Sequence, residues 1–262
     1  MNPPIVEFEH FSFVLEGHML LSDISLSIDP GEFVSIIGPN GAGKTTLLKC
    51  LERIHHTSHT GIRIAGKSLA AYSQRELARV VSYVPQADGV LPLFTVAEFI
   101  MMGRYPYLSP CTPPGKHDKA VVAEVLELTG TAQFSRRHLA TLSGGERQRV
   151  FIAAALAQEA RILLLDEPDV FLDPCHQSEI HGLLSRINRE RGVTVLLITH
   201  DINLAALISG RILALKKGSL VYWGDPEGLM QEDVLFDIYG KPFVFVKHPS
   251  IGKNVVVTDA PC

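Results

Sequence analysis

Cysteine is scarce in this chain. The 262 residues hold four, Cys50, Cys111, Cys175 and Cys262, widely scattered and with no C-x-x-C pair. Such spacing calls for neither a disulfide framework nor a zinc site, and it fits a reducing compartment. Long apolar runs are missing too. The longest, residues 150–157, lies in a helical stretch with arginines and falls well short of the ~20 residues that span a bilayer. The start, Met1-Asn2-Pro3-Pro4-Ile5-Val6-Glu7, has no positive region followed by an apolar one, so no secretory signal is expected. Positive charge is not in excess: 24 Lys and Arg against 28 Asp and Glu leave a net charge of −4. A chain without a basic field does not take nucleic acid as its main partner. Apolar residues make up 46% of the chain, enough for a large core in one or two domains.

What the sequence does contain is organised around Gly38-Pro39-Asn40-Gly41-Ala42-Gly43-Lys44-Thr45-Thr46. The apolar run Phe33-Val34-Ser35-Ile36-Ile37 before it reads as a buried strand, and residues 46–51 after it read as a helix. A Gly-x-x-x-x-Gly-Lys-Thr run between strand and helix is a phosphate-binding loop in its proper context. The glycines let successive N–H groups turn inward at a helix N-terminus, where the dipole also favours an anion. Lys44 is expected to reach the β- and γ-phosphates of a nucleotide, and the Thr45 hydroxyl to hold Mg²⁺.

Upstream, residues 6–8 and 11–13 read as short strands, and residues 24–28 alternate strictly before the turn Asp29-Pro30-Gly31. Two readings stand for Phe13: a face for an adenine to stack on, or an ordinary core aromatic beside Phe8 and Phe11. His55, His56 and His59 lie close together. No cysteine or carboxylate accompanies them, and the segment reads as a solvated turn rather than a metal site. Residues 62–67 read as an exposed strand and turn. Residues 80–84 read as a strand that Pro85 stops, leaving Gln86 on a loop. Thr95 and Glu98 form a capping box that opens a helix to about Met102. A Pro-rich loop follows to Gly115, and Asp118 starts a helix to about Leu128.

Leu142-Ser143-Gly144-Gly145-Glu146 carries a further capping box, Ser143 with Glu146, at the head of a helix to about Gln158. Capping explains Ser143 and Glu146. It does not explain two glycines in the first turn at ~1 kcal/mol each. With no side chain to keep a phosphate away, this is a second anion site. Residues 162–165 are apolar throughout and end in Asp166-Glu167-Pro168. Paired carboxylates at the C-terminal edge of a buried strand are costly unless they act. Beside a triphosphate, Asp166 would orient Mg²⁺ and Glu167 would polarise the attacking water. Residues 193–198 repeat the pattern and lead to His200, at the edge where open α/β sheets place ligands. The chain closes with a hairpin at 212–224, a helix at about 229–239, and two short strands around 243–246 and 255–258.

These motifs, in this order, resemble those of an ATP-binding-cassette (ABC) ATPase subunit. The phosphate loop, Gln86, Leu142-Ser143-Gly144-Gly145-Glu146, the Asp166-Glu167 pair, Asp173 and His200 carry the likeness and span most of the chain. The Leu-Ser-Gly-Gly run is specific to that family; the phosphate loop alone is not. The spacing from Lys44 to Ser143 suits a transporter subunit and leaves no room for the long coiled coil of chromosome-maintenance relatives. A closer likeness is to bacterial importers of ferric siderophores, haem and cobalamin. It rests on Met102-Gly103-Arg104-Tyr105-Pro106-Tyr107, on the run from Ala153 to Gln158, on Asp173 with His176-Gln177, on His200-Asp201-Ile202-Asn203-Leu204-Ala205, and on His248-Pro249.

The resemblance implies an α/β fold of the P-loop NTPase class. It would have a mixed-sheet ATP-binding core, an antiparallel β subdomain and an α-helical signature subdomain. Residues 1–262 would form a single ATPase domain, with the helical subdomain at about 88–160 and a C-terminal extension at about 226–262. It implies ATP as substrate, with Mg²⁺ held by Thr45, Gln86 and Asp166. Glu167, His200 and Lys44 would be catalytic. Two copies would pair head to tail, so that Ser143, Gly144, Gly145 and Glu146 meet the ATP of the partner and Asp173 communicates across the dimer. Two integral-membrane permease subunits and, indirectly, a solute-binding protein complete the implied assembly at the cytoplasmic face of the inner membrane. A permease helix would dock beside Gln86, at residues about 88–107.

Two departures from the family pattern stand out. Asp169-Val170 occupies the place of Thr and a small polar residue, an extra carboxylate expected to alter the loop before Asp173. The segment between Phe13 and Asp23 is slightly long for an adenine-stacking loop. Other readings compete less well. A regulatory ATPase acting on ribosomes or DNA would carry fused cassettes or coiled coils, and a non-hydrolysing module would not need Glu167 and His200. Within the importer class, molybdate or another small solute is the alternative cargo.

Overall fold

The computed structural model describes residues 3–55, 60–86, 92–109, 112–170, 172–249 and 252–257. His56, His59, Cys111, Cys262, Thr258 and residues 88–91 of the expected docking stretch lie outside the described residues. The chain forms two compact units, Met1–Ala71 with Leu196–Cys262, and Tyr72–Val195.

The first unit opens on a hairpin of β1 (Val6–Leu15) and β2 (His18–Ile28). Its two turn residues both have positive φ, 50° at Glu16 and 81° at Gly17, the condition for a tight turn that matches strand twist. The expected separate strands at 6–8 and 11–13 are thus one strand. Register shifts beside Phe8, Phe11 and Phe13 hide its continuity from a simple alternation. Next come β3 (Phe33–Ile37), buried throughout, and α1 (Lys44–Leu51). The strands β4 (Ile62–Ile64) and β5 (Lys67–Ser68) complete a four-stranded antiparallel sheet in the order β2-β1-β4-β5. Ile62 and Ile64 point into the core and only Arg63 faces water, so this strand is half-buried rather than exposed.

The second unit contains α2 (Gln74–Leu77), β6 (Val81–Val84), α3 (Val96–Met102), α4 (Lys116–Leu128), α5 (Gly144–Ala157), β7 (Ile162–Asp166) and α6 (Pro174–Arg191). Strands β6 and β7 run parallel with Val81 opposite Ile162, and α3 meets α5 through Phe99 and Phe151, whose ring centroids are 5.4 Å apart. Arg104 is a buried charge at the end of α3, 1% exposed. Its guanidinium donates to Asp118 (3.0 Å), Glu159 (2.6 Å) and the Ala157 carbonyl (2.6 Å), and it lies 4.2 Å from the Tyr107 ring centroid. A guanidinium is suited to this, because its fork satisfies several acceptors at once.

Strand β8 (Thr194–Ile198) carries the chain back to the first unit. There α7 (Ile202–Ile208), β9 (Arg211–Lys216) and β10 (Ser219–Gly224) follow. Strand β9 is parallel to β3, with Val34 opposite Arg211, and antiparallel to β10, which makes the sheet mixed. The helix expected at about 229–239 is α9 (Glu232–Tyr239); a separate short helix, α8 (Pro226–Leu229), precedes it, and Met230 at ψ 47° breaks the two apart. The last elements are β11 (Val244–Lys247) and β12 (Asn254–Val257), an antiparallel pair.

Candidate functional site

In the first unit the chain leaves β3 at Ile37 and enters α1 at Lys44 through residues 38–43. Gly38 has φ 139°, and a Cβ on it would stand 2.1 Å from the Leu215 carbonyl oxygen. Gly43 has φ 100°, and its Cβ would meet Leu21 Cδ2 at 2.7 Å and the Leu20 oxygen at 3.0 Å. Gly218, in the β9–β10 turn, donates its N–H to Ala42 O (3.0 Å), and a Cβ on it would stand 2.5 Å from the Leu20 oxygen. Only glycine fits such positions. Gly43 has no side chain with which to cap α1, and no acidic residue sits in the first turn. That helix end is therefore suited to an anion brought from outside. Lys44 is 6% exposed, and its ammonium donates to Gly38 O (2.9 Å) and Pro39 O (3.1 Å). The charge is thus held over the loop by main-chain carbonyls. Pro39, Asn40 and Gly41 form the outer bend, and Thr45 and Thr46 lie in the first turn of α1.

His200 is exposed in the same unit. Its neighbours are fixed: Thr199 donates its N–H to Ile36 O (3.3 Å) and accepts the Asp201 N–H on Oγ1 (3.1 Å). Asp201 caps α7 by accepting the Leu204 N–H (2.9 Å). Phe13 is a correction. It is 2% exposed, packed in the hairpin core with its ring 5.1 Å from that of His55. It presents no open face for an adenine. The same contact places His55 partly inside, where burial first and the Lys49 charge second hold its imidazole below the usual range.

In the second unit, β7 delivers Asp166 and Glu167 side by side. Asp166 is 3% exposed and accepts a hydrogen bond from the Tyr83 hydroxyl (3.1 Å). Gln86 Nε2 donates to Glu167 Oε2 (3.3 Å), so two of the expected site residues are brought together. Glu167 has φ 49°, a left-handed backbone costing on the order of 1 kcal/mol or more in a non-glycine residue. Strain at a carboxylate so placed points to use rather than to stability. Ser143 caps α5: its Oγ accepts the Glu146 N–H (3.3 Å), and Glu146 Oε2 accepts the Ser143 N–H (2.8 Å). That backbone bond is the main reason the Glu146 carboxyl is held below its usual range. Gly144 is exposed. Gly145 is buried against His176, whose ring would stand 2.3 Å from a Cβ there.

Asp173 caps α6 by accepting the N–H groups of Cys175 (3.0 Å) and His176 (3.1 Å), and its other oxygen pairs with His176 Nδ1 (2.6 Å). The His176 backbone bond, then its ring, depresses the Asp173 carboxyl. The extra carboxylate at Asp169 is buried and paired with His181 Nε2 (2.7 Å). Tyr83 and His181 were missed as partners of the acidic residues, for their contacts lie 83 and 12 positions away in the chain. A groove of about 300 Å³ runs beside Pro85, lined by Tyr83, Phe99, Met102, Gly103 and Phe151 among others.

The donors are of the kind that handles a triphosphate: a glycine-built anion nest with its lysine, and a buried carboxylate followed by one hydrogen-bonded to an amide. Among the described residues no helix is long and apolar enough to cross a membrane, and no cluster of three or more His, Cys, Asp or Glu is placed to hold a metal.

A family model described as "ABC transporter" matches residues 21–170, and a model described as an AAA domain matches residues 136–206. The chain is 38% identical, over 92% of its length and 89% of the relative's, to the iron(3+)-hydroxamate import ATP-binding protein FhuC of Bacillus subtilis (strain 168). It is 36% identical, over 92% of its length and 82% of the relative's, to the hemin import ATP-binding protein HmuV of Rhodococcus jostii (strain RHA1). In fold it matches a solved structure described as an inward-facing conformation of "a putative metal-chelate type ABC transporter", with TM-score 0.83, 24% identity and coverage of 97% of this chain and 96% of that one. The chain belongs to the ABC transporter family and is one of its ATP-hydrolysing subunits, with the P-loop fold of that class.

Proposed function

We propose that this subunit powers the uptake of a metal chelate or metal-organic cofactor: a ferric siderophore, haem or cobalamin. The observation that carries the cargo reading is the 38% identity, over 92% of the chain, to an iron(3+)-hydroxamate importer subunit. In this reading Lys44 and the N–H groups of residues 38–46 bind the β- and γ-phosphates of ATP. Glu167 polarises the attacking water, steadied by Gln86, and His200 contacts the γ-phosphate. Thr45, Gln86 and Asp166 offer a hydroxyl, an amide oxygen and a carboxylate, hard oxygen donors that suit Mg²⁺. Mg²⁺ there would neutralise charge on the phosphate oxygens. Phe13 drops out of the nucleotide site.

Two copies pair head to tail, so that Ser143, Gly144, Gly145 and Glu146 of one close on the ATP of the other, with Asp173 beside them. ATP then stabilises the closed dimer over the open one, and hydrolysis releases it. The dimer works at the cytoplasmic face of the cell membrane on two permease subunits, with a solute-binding protein supplying cargo. Met102, which lines the groove at Pro85, is exposed, which supports docking of a permease helix there. The test is reconstitution with the permease and loaded binding proteins in liposomes. Ferric chelates, haem or corrinoids should stimulate ATP hydrolysis and enter. Stimulation by an amino acid, sugar or peptide, and by none of these, would refute the cargo and leave the ATPase assignment standing.

A further inference from the structure

The segment from α8 to β12 carries none of the nucleotide motifs, yet two contacts tie it to them within the first unit. The first starts from α7, which opens directly behind His200. On α7, Asn203 Nδ2 donates to Val256 O (2.9 Å) while its Oδ1 accepts the Val256 N–H (2.8 Å). One side-chain amide thus pairs with β12 as a neighbouring strand would, using both of its ends at once. Around this bond Ile202 and Ala205 of α7 share a buried cluster with Leu235, Ile238, Phe243 and Val256. Ile37, the residue before Gly38, belongs to the same cluster.

The second contact is Tyr239, the last residue of α9. It packs on that cluster, edge-on to Phe243 with ring centroids 5.6 Å apart. Tyr239 thus stands on the packing that also holds Ile37, the residue leading into Gly38.

We infer that the C-terminal extension braces the hydrolytic machinery, with Asn203 a positioning residue for His200. The inference rests on the proposed role of that histidine in hydrolysis. His200 sits on a turn pinned at Thr199 and at Asp201, and Asp201 in turn caps α7. Releasing α7 from β12 frees one end of that turn. Catalytic geometry is intolerant of such freedom, since a displacement of about 1 Å can cost on the order of a hundredfold in rate.

The experiment is steady-state ATP hydrolysis by the full 262-residue chain with Mg²⁺, alongside the thermal midpoint of each variant. Asn203→Ala should lower kcat roughly 5- to 10-fold with KM within about twofold of wild type. His200→Ala should remove most turnover, and adding Asn203→Ala to it should cost nothing further. A wild-type kcat in Asn203→Ala would overturn the brace. So would a fall in kcat that merely follows a loss of folded protein. Undiminished turnover in His200→Ala would instead overturn the role of His200 and with it the inference.

Discussion

Replacing Gly145 by alanine sets three effects against one another. A Cβ there would fall 2.3 Å from His176 Cδ2, 2.6 Å from Cγ and 3.1 Å from Cβ. The ring cannot retreat freely, because its Nδ1 is bonded to Asp173 at 2.6 Å. Forcing it aside costs about 1–3 kcal/mol of overpacking, and breaking the Asp173 bond costs about 1 kcal/mol more. Against this, alanine is better than glycine in a helix by up to about 1 kcal/mol. Gly145→Ala should therefore destabilise by about 1–3 kcal/mol. In a His176→Ala background the obstacle is gone and the sign should reverse, to a gain of up to about 1 kcal/mol. The assay is a double-mutant cycle on urea midpoints at constant m. Hydrolysis should not return with stability, because His176→Ala also removes the ring bonded to Asp173, beside the surface proposed to meet the γ-phosphate. Equal destabilisation in both backgrounds would refute the steric account.

Other substitutions carry equally definite expectations. Glu167→Gln keeps shape and the bond with Gln86 but removes the charge; it should bind ATP and stall, and near-normal turnover would take Glu167 out of its role. Arg104→Met should cost about 2–4 kcal/mol, since Asp118 and the Ala157 carbonyl lose a buried partner; an unchanged urea midpoint would contradict this. Glu52 follows α1 with its Oε1 buried and without a partner among the described residues, and burial pushes its carboxyl up to about 7. The folded pKa lies above the ordinary value of 4.5, so the protonated group's contribution is complete below that value and lost as pH rises through about 7. Glu52→Gln should thus be more stable than wild type at pH 8.5, by up to about 3 kcal/mol, and lose that advantage near pH 4.5. A constant difference across this range would show that Glu52 is not the titrating group.

Local chemistry was legible in the sequence and distant chemistry was not. The boxes at Thr95 with Glu98 and Ser143 with Glu146 were readable because donor and acceptor lie three residues apart. The same signal at Ser73 with Glu76 stands in the sequence and was passed over. The continuity of β1 and β2 was obscured because His10 and Asp23 both take positive φ and break the alternation. Burial of Phe13 depends on what covers it, which periodicity cannot tell. Arg104 entered only as part of the run from Met102 to Tyr107 that carries the family likeness. Its partners Asp118 and Glu159 are 14 and 55 positions away, and no local pattern announces them. The extra carboxylate at Asp169 looked like a disturbance because His181, which absorbs it, is 12 positions away on α6.

The glycines of the phosphate loop and of the signature differ in how damage to them can be repaired. Gly145 is confined by the ring of His176, a side chain that a second mutation can shrink. Gly38, by contrast, faces the Leu215 carbonyl, and Gly218 faces that of Leu20. A carbonyl belongs to every amino acid, so no change of residue at 20 or 215 makes room. A selection for revertants should recover second-site suppressors of Gly145→Ala, whereas Gly38→Ala and Gly218→Ala should return only through the original codon. Drift in the side chains at 20 and 215 leaves the fit at Gly38 and Gly218 untouched for the same reason: those two positions are moulded by main chain.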